Sequence, residues 1–156
     1  MNRRNLIALG SAAALLIAFF AWEWYLSPAA QVERSLQRAA DAAEVKDTPR
    51  FLSCLSRDYS DFRNLDFESL SEMVDRGFER VDRLNVTLEA VRAEVEGAEA
   101  TASFDLTVVA IQGDQRFIVV GTVTQPQKLR VDLRREEGGW KILRVKRSEG
   151  SDDQEQ

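Results

Sequence analysis

The chain contains no histidine and only one cysteine, Cys54, in 156 residues. Without histidine there is no Ser-His-Asp or Cys-His triad, no histidine-ligated zinc and no imidazole general base. A lone cysteine makes neither an internal disulfide nor a thiolate cage. Glycine and proline are scarce, at eight and three residues. No glycine-rich phosphate loop, zinc spacing or calcium loop occurs, so no metal and no cofactor is expected.

What is present is a chain of 44% hydrophobic and 30% charged residues. That balance is too apolar for disorder and too charged for a multi-span membrane protein, and the length suits one domain. The net charge is −5, and this mild acidity argues against a nucleic-acid partner. A basic stretch near the end holds Lys128, Arg130, Arg134, Lys141, Arg144, Lys146 and Arg147. It suits anionic lipid headgroups or an acidic partner, but an ordinary solvated hairpin face is the favoured reading.

Leu6 to Trp22 is an uncharged run of 17 residues. As a helix it spans about 25 Å, and extending it to Leu26 brings it to about 31 Å, close to the ~30 Å hydrocarbon core. Arg3 and Arg4 precede it and Trp22, Trp24 and Tyr25 close it, the pattern of an anchor with a cytoplasmic N-terminus. The expectation is a cytoplasmic stretch 1–5, a transmembrane anchor 6–26, a soluble domain 31–147 and an acidic disordered tail 148–156. This places a single-pass protein in the inner, cytoplasmic membrane with its domain outside the cytoplasm. The alternative is a signal peptide cleaved near Ser27-Pro28-Ala29, giving a secreted protein.

Ser27 to Ala30 reads as a break, followed by a helix with Val32, Leu36, Ala39, Ala40 and Ala43 on one face. Asp47-Thr48-Pro49 caps a short second helix. Residues 57–66 read as a loop or edge strand, and Phe67 to Asp82 as a third helix capped by Asp66, in which Gly77 allows close packing against the sheet. From Leu84 the period becomes 2, with a phase slip near Glu89-Ala90 that marks a bulge. Strands then follow across Glu96-Gly97, Gln112-Gly113-Asp114 and Glu136-Glu137-Gly138-Gly139 turns. The expected fold class is α+β: a transmembrane helix, then three helices packed on a curved antiparallel sheet.

Thr48-Pro49-Arg50-Phe51-Leu52, Ser56-Arg57-Asp58-Tyr59, Ala98-Glu99-Ala100-Thr101-Ala102 and Gly138-Gly139-Trp140-Lys141-Ile142 together resemble the nuclear transport factor 2-like superfamily over residues 31–147. The resemblance implies a sheet wrapped round a helix into a cone. Its members include isomerases, dehydratases, polyketide cyclases, toxin-immunity and transport factors and secretion scaffolds, so it supports fold over activity. An anchor followed by such a domain resembles the bridging subunit of type IV secretion systems and accessory proteins of lipid-importing complexes.

Asp58 and Tyr59 are the weak catalytic candidates, since such cones raise the pKa of buried acids. Neighbours on an extended segment face opposite ways, however, so both hardly line one pocket. Asp105 reads as a surface carboxylate and Cys54 as a buried, inert thiol. The expected cone lining is Phe51, Tyr59, Phe78, Phe104, Phe117 and Trp140, with Phe78 packed on Phe104. Val109 and Ile111, out of phase with Phe104, and Leu143 and Val145, out of phase with Trp140, suggest an outer apolar patch for a homodimer or an envelope partner; the alternative is a phase slip that turns them inward as core. The leading expectation is a non-enzymatic, membrane-tethered binding or scaffold domain. The alternative is a small-molecule carrier or small enzyme, which requires an open pocket of ~300 Å³ or more.

Overall fold

The computed structural model describes residues 27–122 and 124–148. Among them no helix is long and apolar enough to cross a membrane. The expected anchor 6–26, the stretch 1–5 and all of the tail except Ser148 lie outside the described residues.

Helix α1 (Pro28–Glu44) begins where a break was expected. The Ser27 side chain accepts from the Ala30 amide at 3.1 Å, and Pro28 takes the first helical position, where its missing N–H costs nothing. α2 (Thr48–Ser53) repeats the device with Asp47, whose carboxylate accepts from Arg50 N at 3.0 Å. β1 (Leu55–Asp61) follows, then α3 (Phe67–Arg80), whose cap Asp66 accepts from Ser69 N at 2.8 Å. The amide donors hold the exposed Asp66 carboxyl below its usual range.

Five strands complete the domain: β2 (Arg83–Glu96), β3 (Glu99–Gln112), β4 (Gln115–Val120), β5 (Gln127–Glu136) and β6 (Gly139–Arg147). The sheet order is β1-β6-β5-β3-β2, with β4 paired to β3. β3 pairs with β2 along one edge, while its other edge is shared between β5, at Glu99–Leu106, and β4, at Val108–Gln112. The chain crosses between these partners at Gly121, where φ is +59° and an added Cβ would lie 2.6 Å from both Leu106 O and Gln127 N. Only glycine fits that crossing.

Two features correct the sequence expectation. The sheet is not wholly antiparallel, because β1 runs parallel to β6. That pairing joins segments separated by α3 and four strands, so no local turn announces it. In β6, Ile142 pairs with Leu133 and Arg144 with Asp132, leaving Leu143 as the extra residue of a bulge. The bulge resets the alternation, and Val145 turns inward. The slip in β2 lies at Glu89 to Arg92, with Ala90 at φ 51°.

The core forms two clusters. One packs Val32 and Leu36 of α1 on Ala102, Phe104, Val131, Leu133 and Trp140 of the sheet. The other joins Leu55 and Tyr59 of β1 to Phe67, Leu70 and Val74 of α3. Each fully buried aliphatic side chain contributes about 1.5–3 kcal/mol. On the opposite face, buried Ser56 donates to Glu136 Oε1 at 2.6 Å, and Arg134 Nη2 reaches Ser56 Oγ, Glu136 and Asp58, tying β1 to β5 across β6.

Candidate functional site

Between the two clusters lies a cavity of about 520 Å³, within the ~300–1,000 Å³ range of small-molecule sites. α1 supplies one wall through Leu36, Ala39, Ala40 and Ala43. The sheet supplies the floor, through alternate residues of β2 and β3 such as Val86, Leu88, Phe104 and Leu106. The third wall is α3, whose Leu70, Met73, Val74, Gly77, Phe78 and Val81 form one helical stripe.

The cavity exists because α3 leans the other way. It packs on α2 and β1 and barely touches β2, β3 or β4. Phe78 meets Phe51 of α2 edge to face, with ring centroids 6.2 Å apart, rather than closing on Phe104. Gly77 has no atom within 4 Å of where its Cβ would be. It is a gap in the wall, not the close contact with the sheet expected from the sequence.

Phe51, Tyr59, Phe78 and Phe104 are thus brought together around one space. Phe117 is not: it is 43% exposed on β4. Trp140 lies in the first core cluster, 4% exposed, and its carbonyl accepts from Ser35 Oγ at 2.9 Å. Its indole N–H is buried without a partner. Val145 lines the cavity, so it is not on an outer patch with Val109 and Ile111. Ile118, paired with Val109 and 63% exposed, shares that outer face instead.

Asp58 and Tyr59 point in opposite directions. Asp58 is exposed and bound by Arg134 at 2.7 Å. Tyr59 is 6% exposed and lines the cavity. Burial, reinforced by the negative charge of Asp61 and opposed by Arg63, pushes its phenol far above the ordinary value. A phenol held so far up remains in its protonated form, the form that can donate a hydrogen bond. Asp105, half-buried on β3, lies outside the cavity. Burial likewise raises the Cys54 thiol, with the charges of Arg38, Lys141 and Arg50 pulling against it, which suits an inert side chain.

Much of the basic stretch is engaged. Lys146 and Arg144 hold Asp132 at 2.7 and 4.0 Å, Arg134 sits in the Ser56 network, and Lys141 donates to Ser53 O. Among the described residues no cluster of three carboxylates or thiols is arranged to hold a metal. Sequence reasoning missed Arg63, Met73 and Gly77 in the cavity wall. The α3 stripe offered a signal for the last two. Arg63 offered none.

No protein-family profile and no curated protein matches the sequence. Solved structures do. One is a nuclear transport factor 2-like protein with a cystatin-like fold from Novosphingobium aromaticivorans, at TM-score 0.61 and 18% identity over 92% of each chain. Another is a candidate dehydratase of the nuclear transport factor 2-like family from Streptomyces avermitilis, at TM-score 0.64 and 16% identity over 76% of this chain and 92% of that one. A candidate scytalone dehydratase from Novosphingobium aromaticivorans matches at TM-score 0.62 and 10% identity, covering 74% of this chain and 78% of that one. The fold is nuclear transport factor 2-like. At these identities the likeness extends to the cone and not to the chemistry within it. In this nuclear transport factor 2-like cone the sheet and α1 enclose the space, and α3 stands at its open side.

Proposed function

We propose that this chain is a small-molecule-binding domain that takes an apolar ligand into its cone. The observation that carries the reading is the cavity of about 520 Å³, whose wall is aliphatic and aromatic apart from Tyr59 and Arg63. A filled cone would favour a scaffold. An open one of this size favours a ligand. Burying apolar ligand surface yields about 25 cal/mol per Å², offset by the cost of immobilisation.

Carriage suits the wall better than catalysis. It bears no carboxylate, and its one buried hydroxyl remains protonated, so no base faces the space. Tethering at the membrane through residues 6–26, with the domain outside the cytoplasm, belongs to the same proposal and rests on the sequence pattern alone. Protease digestion of spheroplasts tests the topology. A protected domain contradicts it.

Photolabelling tests the cavity. The full chain in lipid nanodiscs is irradiated with a neutral diazirine-bearing alkane. Saturable labelling of the α3 stripe and of Val86 to Leu88, reduced in Gly77→Leu, is expected. Labelling that avoids these peptides, or ignores Gly77→Leu, overturns the reading.

A further inference from the structure

The cavity wall is interrupted by polar side chains at one place, where β1 ends. Tyr59 and Arg63 line it there, four residues apart, with Arg63 inside a tight turn closed by Asn64 N donating to Asp61 O. The turn is held by Asp61, whose Oδ1 accepts from Arg63 N at 2.8 Å and Leu65 N at 3.0 Å. Asn64, at φ 60°, completes it. Arg63 therefore belongs to a braced segment and not to a free loop.

Both polar groups are donors for which the protein supplies no acceptor among the described residues. The Tyr59 hydroxyl, on a side chain 6% exposed, has no hydrogen-bond partner among the described residues. Arg63 makes no ion pair there, and its guanidinium lies 5.5 Å from the Phe62 ring centroid. Arg147 approaches the same ring at 5.1 Å. Asp61 and Asp66 balance these two guanidiniums over the turn as a whole, but Arg63 is the one charged side chain among the described residues of the cavity wall. The Tyr59 hydroxyl faces the open space of the cavity, where it is left to water. A ligand that supplies an anionic acceptor replaces that water and gains a charge-assisted bond from the arginine fork.

We infer that the ligand is a long-chain monocarboxylate, its hydrocarbon lying against α1, α3 and the sheet, its carboxylate at the Tyr59 hydroxyl and the Arg63 guanidinium. The inference rests on the reading of the cavity as a ligand site. An ammonium head would meet the like charge of Arg63, and an alcohol or ester would leave that charge unanswered. The raised pKa of Tyr59 agrees with this, since the phenol remains a donor toward an anionic acceptor.

The experiment compares three photoreactive hexadecyl probes on the full chain in nanodiscs: the free acid, its methyl ester and the corresponding amine. The acid should half-saturate the cavity peptides at a concentration about ten- to a hundredfold below the ester, with the amine weakest. Arg63→Gln should bring the acid to the level of the ester, and Tyr59→Phe should weaken the acid by about tenfold. Labelling by the neutral diazirine-bearing alkane, which has no acceptor for either residue, should be unchanged in both variants and shows that the cavity is intact. Equal labelling by acid and ester in the unmodified protein, or an amine that matches the acid, overturns the carboxylate assignment and leaves the cavity as a general apolar site. Failure of all three probes to label the cavity contradicts the binding function itself.

Discussion

Arg134 Nη2 sits 2.7 Å from Asp58 Oδ2 on the face of the sheet turned away from the cavity, while the next residue, Tyr59, enters the cavity. One peptide unit thus separates a surface ion pair from the only hydroxyl that the wall offers among the described residues. The alternation of a β-strand accounts for the split. Asp58→Asn should leave photolabelling of the cavity unchanged, because exposed ion pairs contribute little and this one touches no ligand space. Loss of labelling in a variant that still melts cooperatively would make Asp58 part of the site.

The two sides of the cavity should respond differently to truncation. Leu133 is 1% exposed and packed within the cluster formed by α1 and the sheet. Leu133→Ala should cost about 2–5 kcal/mol. Phe78 is half-buried and borders the void, so fewer contacts are lost with its ring. Phe78→Ala should cost about 1–2 kcal/mol, below the ~3–5 kcal/mol of a fully packed phenylalanine. Thermal melts followed by circular dichroism check both. A Phe78 variant as damaged as the Leu133 variant would mean that α3 closes on the sheet.

How much of this was legible depended on whether the signal was local. The phase slip at Glu89-Ala90 was visible because apolar residues change parity within a few positions, and Asp66 and Asp47 announce their helices by side chain. The β6 bulge was half visible: apolar residues change parity between Ile142 and Leu143, but that pattern suits an outer apolar patch as well as a slip, and only the pairing separates the two. The parallel pairing of β1 with β6 is a long-range choice with no turn to mark it. The α3 stripe read as core, and correctly as an inward face, but a hydrophobic pattern is the same for side chains that touch and side chains that surround a void. Phe117 was placed in the cone by its chemistry, yet the edge strand β4 leaves it exposed.

Two glycines give opposite predictions. Gly77 lies inside a helix with open space where its Cβ would go. Gly77→Ala should stabilise the domain by about 0.5–1 kcal/mol, since glycine loses the most conformational freedom on folding. Gly121 sits at φ +59° with backbone atoms 2.6 Å from its Cβ position. Gly121→Ala should therefore destabilise by at least about 2 kcal/mol and separate β4 from β3. Equal and small shifts in melting temperature for both would contradict the crossing at Leu106.

The Ser56 network predicts a pH dependence. Ser56 Oγ donates to Glu136 at 2.6 Å, and Arg134 Nε donates to the same oxygen at 3.0 Å. The serine hydrogen bond lowers the Glu136 carboxyl most; burial opposes it and Arg134 adds to it, so the group sits below its ordinary value of 4.5. A carboxyl with a native pKa below its unfolded one binds fewer protons when folded. Its contribution to stability is complete above the ordinary value and is lost as pH falls through the native one. Ser56→Ala removes the main donor, and the native pKa of Glu136 rises toward 4.5. The variant should melt below the unmodified chain at neutral pH, and the gap should narrow as pH falls from about 5 to about 3. It should not vanish, because the Asp58 amide and Arg134 Nη2 also lose Ser56 Oγ as an acceptor, at 3.2 and 3.1 Å, and that loss does not depend on the Glu136 proton. A gap constant across this range would show that Ser56 acts through these bonds and its packing, and that the strap joining β1 to β5 does not rest on the Glu136 charge.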